Sequence, residues 1–277
     1  MVNGLRVALS AVVYLTILAV TADAQTYGGA SEPEPQLGIE VIKTRFDRGE
    51  TLPTGAAFVW LEYPITDRLC LRADLPVAYG DFSTDSLVGG ESTIGNPFLG
   101  ACFRIDPNTW IQAGFRVSLS RENTASFVGV YADYSRFEAF AEDRWSANVR
   151  GTRRFSLWDW TTIETWVGGA LLYNQHPGTR ADTTVTTIVE DRYDAIVDWG
   201  VQVWEGGYVR FGGAIIGRTV LTQSGSLADR SKAQFALMVT TRIQSVYPTV
   251  YLRVPLDDGL AEYVDFIIGA NIGWVFR

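Results

Sequence analysis

The feature that most constrains this chain is a period-two alternation of apolar and polar residues, repeated in segments of about ten residues. In one segment Leu69, Leu71, Ala73, Leu75 and Val77 alternate with Cys70, Arg72, Asp74 and Pro76. In another, Ile111, Ala113, Phe115, Val117 and Leu119 alternate with Gln112, Gly114, Arg116 and Ser118. Later, Ala195, Val197, Trp199, Val201 and Val203 alternate with Asp194, Asp198, Gly200 and Gln202. That period sets the apolar side chains on one face of a strand and the polar ones on the other. After residue 24 no stretch approaches 18 consecutive apolar residues, so helical membrane spans are excluded.

About twelve such segments run end to end, an even number as closed bacterial barrels use. They span roughly 36–46, 55–65, 68–79, 96–105, 109–119, 145–155, 159–173, 191–204, 207–220, 231–243, 247–256 and 262–277. Short connections follow the even segments, as at Thr66-Asp67, Asp106-Pro107-Asn108 and Glu205-Gly206. The longer ones, 80–95, 120–144, 174–190 and 221–230, follow odd segments. A transmembrane barrel has this asymmetry, with tight periplasmic turns and long outer loops. A soluble sandwich has no reason to sort its loops by parity. The expected fold is therefore all-β, a closed antiparallel transmembrane barrel of about twelve strands over residues 36–277.

The N-terminus reads as a targeting segment. Arg6 precedes an apolar run from Val7 to Val20, and Ala22-Asp23-Ala24 supplies a small-x-small cleavage pattern. Residues 1–24 are expected to be a secretory signal peptide. No Cys stands at the cleavage point to carry a lipid anchor. Residues 25–35, with Gly28-Gly29 and Glu32-Pro33-Glu34-Pro35, read as a flexible periplasmic leader.

Composition decides which face is wet. Lys and Arg total 23 against 31 Asp and Glu, a net charge of −8 with no basic stripe for nucleic acid. Lys43 and Lys232 are the only lysines, whereas a soluble surface uses lysine freely. Arginines with carboxylates suit a lumen, where side chains hold one another in bidentate pairs. The inward set is expected to include Arg72, Arg104, Arg116 and Arg150 on consecutive strands, with Arg154, Arg210, Arg218, Arg242 and Arg253. Glu62, Glu164, Asp194, Asp198 and Asp265 fall on other sectors of the same face. Aromatics near the short-turn ends, including Tyr63, Trp110, Phe155, Trp158, Trp160, Trp204, Tyr208 and Trp274, are expected to form a girdle at headgroup depth. Tyr79, Trp145, Tyr173, Tyr193 and Tyr263 would form the opposite one. The last segment alternates Val264, Phe266, Ile268, Ala270, Ile272, Trp274 and Phe276. It has the character of a closing strand read by the barrel assembly machinery, although Arg277 follows the final aromatic.

Residues 61–105 carry a more particular signal. LEYPITDRLCLRADLPVAYG is followed by STIGNPFLGACFRI: a Tyr-x-Ile-Thr-Asp-Arg-Leu turn, a strand ending Leu-Pro-Val, and a Gly-Asn-x-x-Leu-Gly restart. The stretch resembles the outer-membrane transporters associated with the meta-pathway of phenol degradation. Gly95-Asn96 stands where that family often has Gly-Asp. The resemblance implies a β-barrel with a role in uptake of small, often aromatic, molecules, and it transfers no catalytic residue.

The remaining chemistry is sparse. His176 is the single histidine, and Gln175-His176-Pro177-Gly178 reads as a turn with no catalytic partner at readable spacing. No metal site, cofactor motif or energy-transducing motif is present. Gly212 to Gly217 lies within a strand, where small residues make room for large side chains of neighbouring strands. Cys70 and Cys102 both sit on the polar face of strands flanking 80–95 and are either a cross-strand disulfide or two small lumen thiols. The arginines and acids on separate sectors are expected either to orient a polar solute across the lumen or simply to fill it. Loop 120–144, rich in aromatics and acids, either folds inward to narrow the pore or caps the barrel. The expected function is a non-enzymatic pore or transporter for small solutes in a bacterial outer membrane, touching lipid and the assembly machinery. The alternatives are a closed structural barrel and, with His176 as its base, a lipid hydrolase.

Overall fold

A computed structural model describes residues 34–46, 53–82, 90–175, 179–181, 187–189, 193–223 and 225–276. The signal peptide, most of the leader, His176 and Arg277 lie outside the described residues. In chain order the elements are β1 (Gln36–Phe46), β2 (Gly55–Pro64), β3 (Leu69–Gly80), β4 (Glu91–Ile94), β5 (Phe98–Asp106) and β6 (Thr109–Arg116). Helix α1 (Thr124–Ala132) and a 3-10 turn (Tyr134–Ala139) precede β7 (Arg144–Trp158) and β8 (Thr161–Asn174). A small outer hairpin, β9 (Thr179–Ala181) with β10 (Thr187–Val189), leads to β11 (Tyr193–Gly206) and β12 (Val209–Val220). The chain then runs through α2 (Leu227–Arg230), β13 (Ser231–Thr241), β14 (Val246–Pro255), α3 (Asp258–Ala261) and β15 (Val264–Val275).

The wall is a closed antiparallel barrel of twelve strands, with β4 and β5 as two halves of one. Closure comes from β1, which pairs with β2 on one side and β15 on the other, so that Gln36 lies opposite both Glu62 and Val275. Closure is required because an open edge in hydrocarbon would leave backbone N–H and C=O groups unpaired. No helix among the described residues is long and apolar enough to cross a membrane.

Side chains sort by parity. Leu37, Ile39 and Val41 on β1, Leu71 and Leu75 on β3, Val149 on β7 and Val167 on β8 face outward and are exposed. Their neighbours Glu40, Glu62, Arg116, Glu164, Asp198, Arg218 and Arg253 are buried inside. An apolar exterior around a charged interior is the arrangement lipid selects, since charge is costly on the lipid face.

Several expectations need correction. Trp110 and Trp204 are buried inside the barrel rather than in a girdle, because they share parity with the inward Gln112 and Gln202. Gly212, directly opposite Trp204, makes room for it: a Cβ there would sit 2.6 Å from the indole. Tyr263 stacks on Tyr131 of loop 120–144 with ring centres 4.9 Å apart, so it does not belong to the outer girdle. The pairing of β1 with β15 shifts at Arg45/Phe46, which turns Val264 inward and leaves Asp265 exposed, the reverse of the simple alternation. Arg242 is on a turn, half exposed and 3.9 Å from Glu34, outside the lumen. Strand β6 stops at Arg116, short of Val117 and Leu119. The fourth wall strand begins at Glu91 and is interrupted at 95–97.

Tyr63, Phe155, Trp158, Trp160, Tyr208, Trp274 and Phe276 remain exposed at the short-turn end, and Trp145 and Tyr193 at the other. Val167 lies mid-strand on the outer face and is 61% exposed. Val167→Arg should weaken folding into lipid bilayers by about 2–4 kcal/mol, measured by denaturant titration in vesicles. A change under about 0.5 kcal/mol, the usual size for a neutral surface site, would mean that this face does not meet hydrocarbon.

Candidate functional site: a plug pinned inside the barrel

Loop 120–143 folds inward. Its helix α1 starts at Asn123, whose side chain accepts from the Ser126 backbone while the Ser126 hydroxyl accepts from the Asn123 backbone. Glu91 of β4 accepts from the Thr124 backbone at 2.7 Å, adding a negative group at the positive end of the helix. Ala125, Val128, Gly129 and Ala132 recur at helical spacing, and all four are buried. Such small residues let a helix enter a lumen already lined by side chains. Gly129 lies against the Phe140 ring, where a Cβ would come within 2.3 Å.

The plug meets the wall through two kinds of contact. Toward the mouth it is apolar, with Phe127 next to Phe46, Phe82, Tyr131 and Tyr263 at ring-centre distances of 4.7–6.5 Å. Phe140 meets Phe58 of β2 edge-on at 5.8 Å. Deeper in the lumen the contacts are ionic. Arg136 donates to Glu40 of β1 at 2.6 Å, pairs with Asp133 and lies 3.8 Å over the Phe58 ring. Arg253 of β14 donates to Asp133 at 3.1 Å, and the Tyr251 hydroxyl donates to Glu40 at 2.6 Å. Arg218 of β12 is 2.7 Å from Glu138 and donates to the Ser135 carbonyl at 2.7 Å. Burial alone would push the carboxyls of Asp133 and Glu138 up. Arg136 and Arg253 outweigh it at Asp133, with help from the Ser135 hydroxyl, and hold that group well below the usual carboxylate range. Arg218, with Arg116, does the same at Glu138.

Asn96 is the rivet. The wall breaks at Gly95-Asn96-Pro97, and the Asn96 side chain turns inward, fully buried. Its Nδ2 donates to the carbonyls of Glu138 (2.9 Å) and Ala141 (2.6 Å). Its Oδ1 accepts from the backbones of Leu119 (2.7 Å) and Ser120 (2.8 Å). All four positions of the amide are thus satisfied. Its backbone N–H donates to the Ala139 carbonyl at 2.6 Å, and its own carbonyl accepts from Arg116 at 2.9 Å. Sequence reasoning passed over Asn96, reading the restart as turn chemistry. The signal was there: Pro97 inside an otherwise continuous strand marks a break.

Apart from Asp265 and Arg242, the charged residues singled out from sequence lie on the inner face, and many of them pair. Arg116 holds Asp74 through two nitrogens at 2.7 and 3.1 Å. Arg150 reaches across β8 to Asp198 at 2.7 Å. Arg154 meets Glu164 at 3.1 Å, which also accepts from Gln202 at 3.0 Å. Arg144 donates to Asp194 at 2.5 Å. The two sectors of charge are therefore joined at their seams rather than held apart as opposed walls. Glu62 faces Arg72 in register on β2 and β3. Arg104 borders a recess with Trp110 and the two cysteines. Cys70 and Cys102 are directly opposite on β3 and β5, with Cα atoms 5.1 Å apart, and the structure joins them as a disulfide. Glu62 and the two sulfurs lie close together, but bonded sulfurs offer no thiolate to a metal.

No family model matches the chain, and no curated protein matches it either. Solved structures do. The chain is similar to the COG4313 outer membrane channel from Pseudomonas putida F1, with a TM-score of 0.61 at 12% identity over 92% of this chain and 99% of that one. It is similar to the beta domain of the Bordetella autotransporter BrkA (TM-score 0.54, 10% identity, 88% and 100% covered). It is also similar to LpxR from Salmonella typhimurium (TM-score 0.52, 8% identity, 87% and 100% covered). The fold is that of bacterial outer-membrane β-barrels, and the lipid-facing exterior fits the chain to that membrane.

Two predictions follow from the pinning. Asn96→Asp would set a carboxylate against two carbonyl oxygens, and Asn96→Ala would leave four backbone groups unbonded. At about 1–3 kcal/mol for each unsatisfied buried group, the undocked plug should become at least tenfold more populated. Proteolytic cleavage within 120–143 should accelerate to match, and a rate within twofold of the parent would refute the rivet. Because Asp133 and Glu138 have depressed pKa values when docked, their stabilisation is complete above the ordinary carboxylate pKa and is lost as pH falls through the docked values. Plug accessibility should therefore stay flat from about pH 7 to 5 and rise only below about pH 4. A transition near pH 6 would contradict this.

Proposed function

We propose that the chain is a gated outer-membrane channel for small solutes. The observation that carries this reading is the plug: a helix and turn held in the lumen by ion pairs and hydrogen bonds to four wall strands, with no covalent cross-link to them among the described residues. Such contacts can be exchanged for water, so the docked and undocked states differ by a modest free energy. A barrel that only had to be closed would be expected to fill its centre with apolar side chains, since buried ion pairs add little stability. The likeness to an outer membrane channel of similar length supports the same class of function.

The solute is small. The resemblance of residues 61–105 to transporters linked to phenol degradation supports small, often aromatic, molecules as the cargo. In this reading the partners are outer-membrane lipid, the assembly machinery through β15 and a diffusible solute, with no cofactor. The chain acts as a channel and not as an enzyme. The second reading, a permanently closed structural barrel, draws on how completely the plug is buried.

Planar-bilayer recording tests the two. The parent protein should show brief or low-conductance openings. Replacing residues 122–141 by a short Gly-Ser linker should raise the conductance several-fold and make it steady. Silence from both proteins would remove the channel reading and leave the closed barrel. Lipid hydrolysis abolished by His176→Ala would instead establish an enzyme.

A further inference from the structure

We propose that the cavity beneath the plug binds a small monoanionic carboxylate, held between Arg72 and Arg150. The proposal deepens the channel reading by naming the class of its solute. The cavity lies between the plug and the short-turn end of the barrel, and five guanidinium groups border it against three carboxylates. In a chain of net charge −8, that surplus is local.

Pairing shows where the surplus resides. Arg116 is taken by Asp74, Arg150 by Asp198 and Arg218 by Glu138. Arg136 is met from outside the cavity by Glu40 and Asp133. Arg72 is different. It donates to Gln112 Oε1 at 3.0 Å, and among the described residues it forms no ion pair, not even with Glu62 across the β2–β3 ladder. Arg150 gives Nε and Nη2 to one oxygen of Asp198, at 2.9 and 2.7 Å, which leaves Nη1 uncommitted. One guanidinium fork and one further N–H therefore face a cavity bordered by more guanidinium groups than carboxylates, with Glu62 opposite Arg72 acting on it from beyond ion-pair distance. A planar carboxylate matches that donor set, and a dianion would overcompensate it.

Size narrows the class. The cavity measures about 60 Å³. At about 10–15 Å³ for each water-sized sphere, it takes roughly four to six heavy atoms. That suits a short carboxylic acid or the head of a longer one, and it excludes a sugar ring. Its polar lining excludes a hydrocarbon.

The test uses the refolded full barrel in detergent micelles and saturation-transfer difference NMR. The probes are acetate and acetamide, which match in size but differ in charge. Acetate should bind saturably, and acetamide at least tenfold more weakly. Arg72→Gln should weaken acetate at least tenfold, whereas Arg242→Gln, on the exposed turn, should leave it unchanged. Equal binding of the two probes by the parent protein would overturn the site whatever the variants do. So would acetate affinity within twofold of the parent in Arg72→Gln. Bilayer recording of the same preparation separates the two claims. Acetate binding without any current would keep the site and end the channel reading. Current without acetate binding would do the reverse.

Discussion

Hydrocarbon contains no hydrogen-bonding partner, and everything else in this molecule follows from that. A sheet in lipid must close, and closing one of this size encloses a lumen that side chains from the wall alone do not fill. Here β1 closes the wall by pairing with β2 and β15. The interior is then occupied in three ways: by large inward aromatics such as Trp60, Trp166 and Trp204, by arginine–carboxylate pairs, and by a segment of the chain itself. The third differs from the others because it belongs to a loop. A side chain anchored on a strand can only change rotamer. A loop joined to the wall at its two ends can leave.

The strand periodicity was legible because lipid enforces it: one face must be apolar on every strand, so each strand carries the same signal. The register of Arg72, Arg104, Arg116 and Arg150 followed from that rule, as did that of Glu62, Glu164, Asp194 and Asp198. The rule fails where lipid does not act. Trp110 and Trp204 could be read as girdle residues because an aromatic at a strand end suits either side of the wall. Parity assigns them inward, and the glycine opposite Trp204 provides the space. Asp265 was misplaced because it is itself the extra residue of a bulge in β15, which shifts the count by one and which alternation alone does not reveal.

The plug was half legible. Its aromatics and acids drew attention to loop 120–144, but the sequence left inward and outward packing open. What decides between them is complementarity with groups distant in sequence. Arg136 needs Glu40, Glu138 needs Arg218, and Asp133 needs Arg253. No spacing within the loop encodes those pairs. The small-residue stripe of Ala125, Gly129 and Ala132 is the local clue, since a helix on the outer surface has no need to be thin.

The break at Gly95-Asn96-Pro97 ties the wall to the plug. Interrupting a strand in a membrane sheet normally strands backbone donors and acceptors. Here Gly95 donates to Pro76, Val117 donates to Pro97, and Asn96 donates to Ala139 in the plug. One backbone donor of the wall is thus satisfied by the plug rather than by a neighbouring strand. Were this donor to face lipid, releasing the plug would expose it to hydrocarbon at a cost of several kcal/mol. It faces the lumen instead, so water can replace the Ala139 carbonyl when the plug leaves. A strand broken on its inner side therefore couples the plug to the barrel strongly enough to hold it and weakly enough to let it go. The same break on the outer side would permit neither.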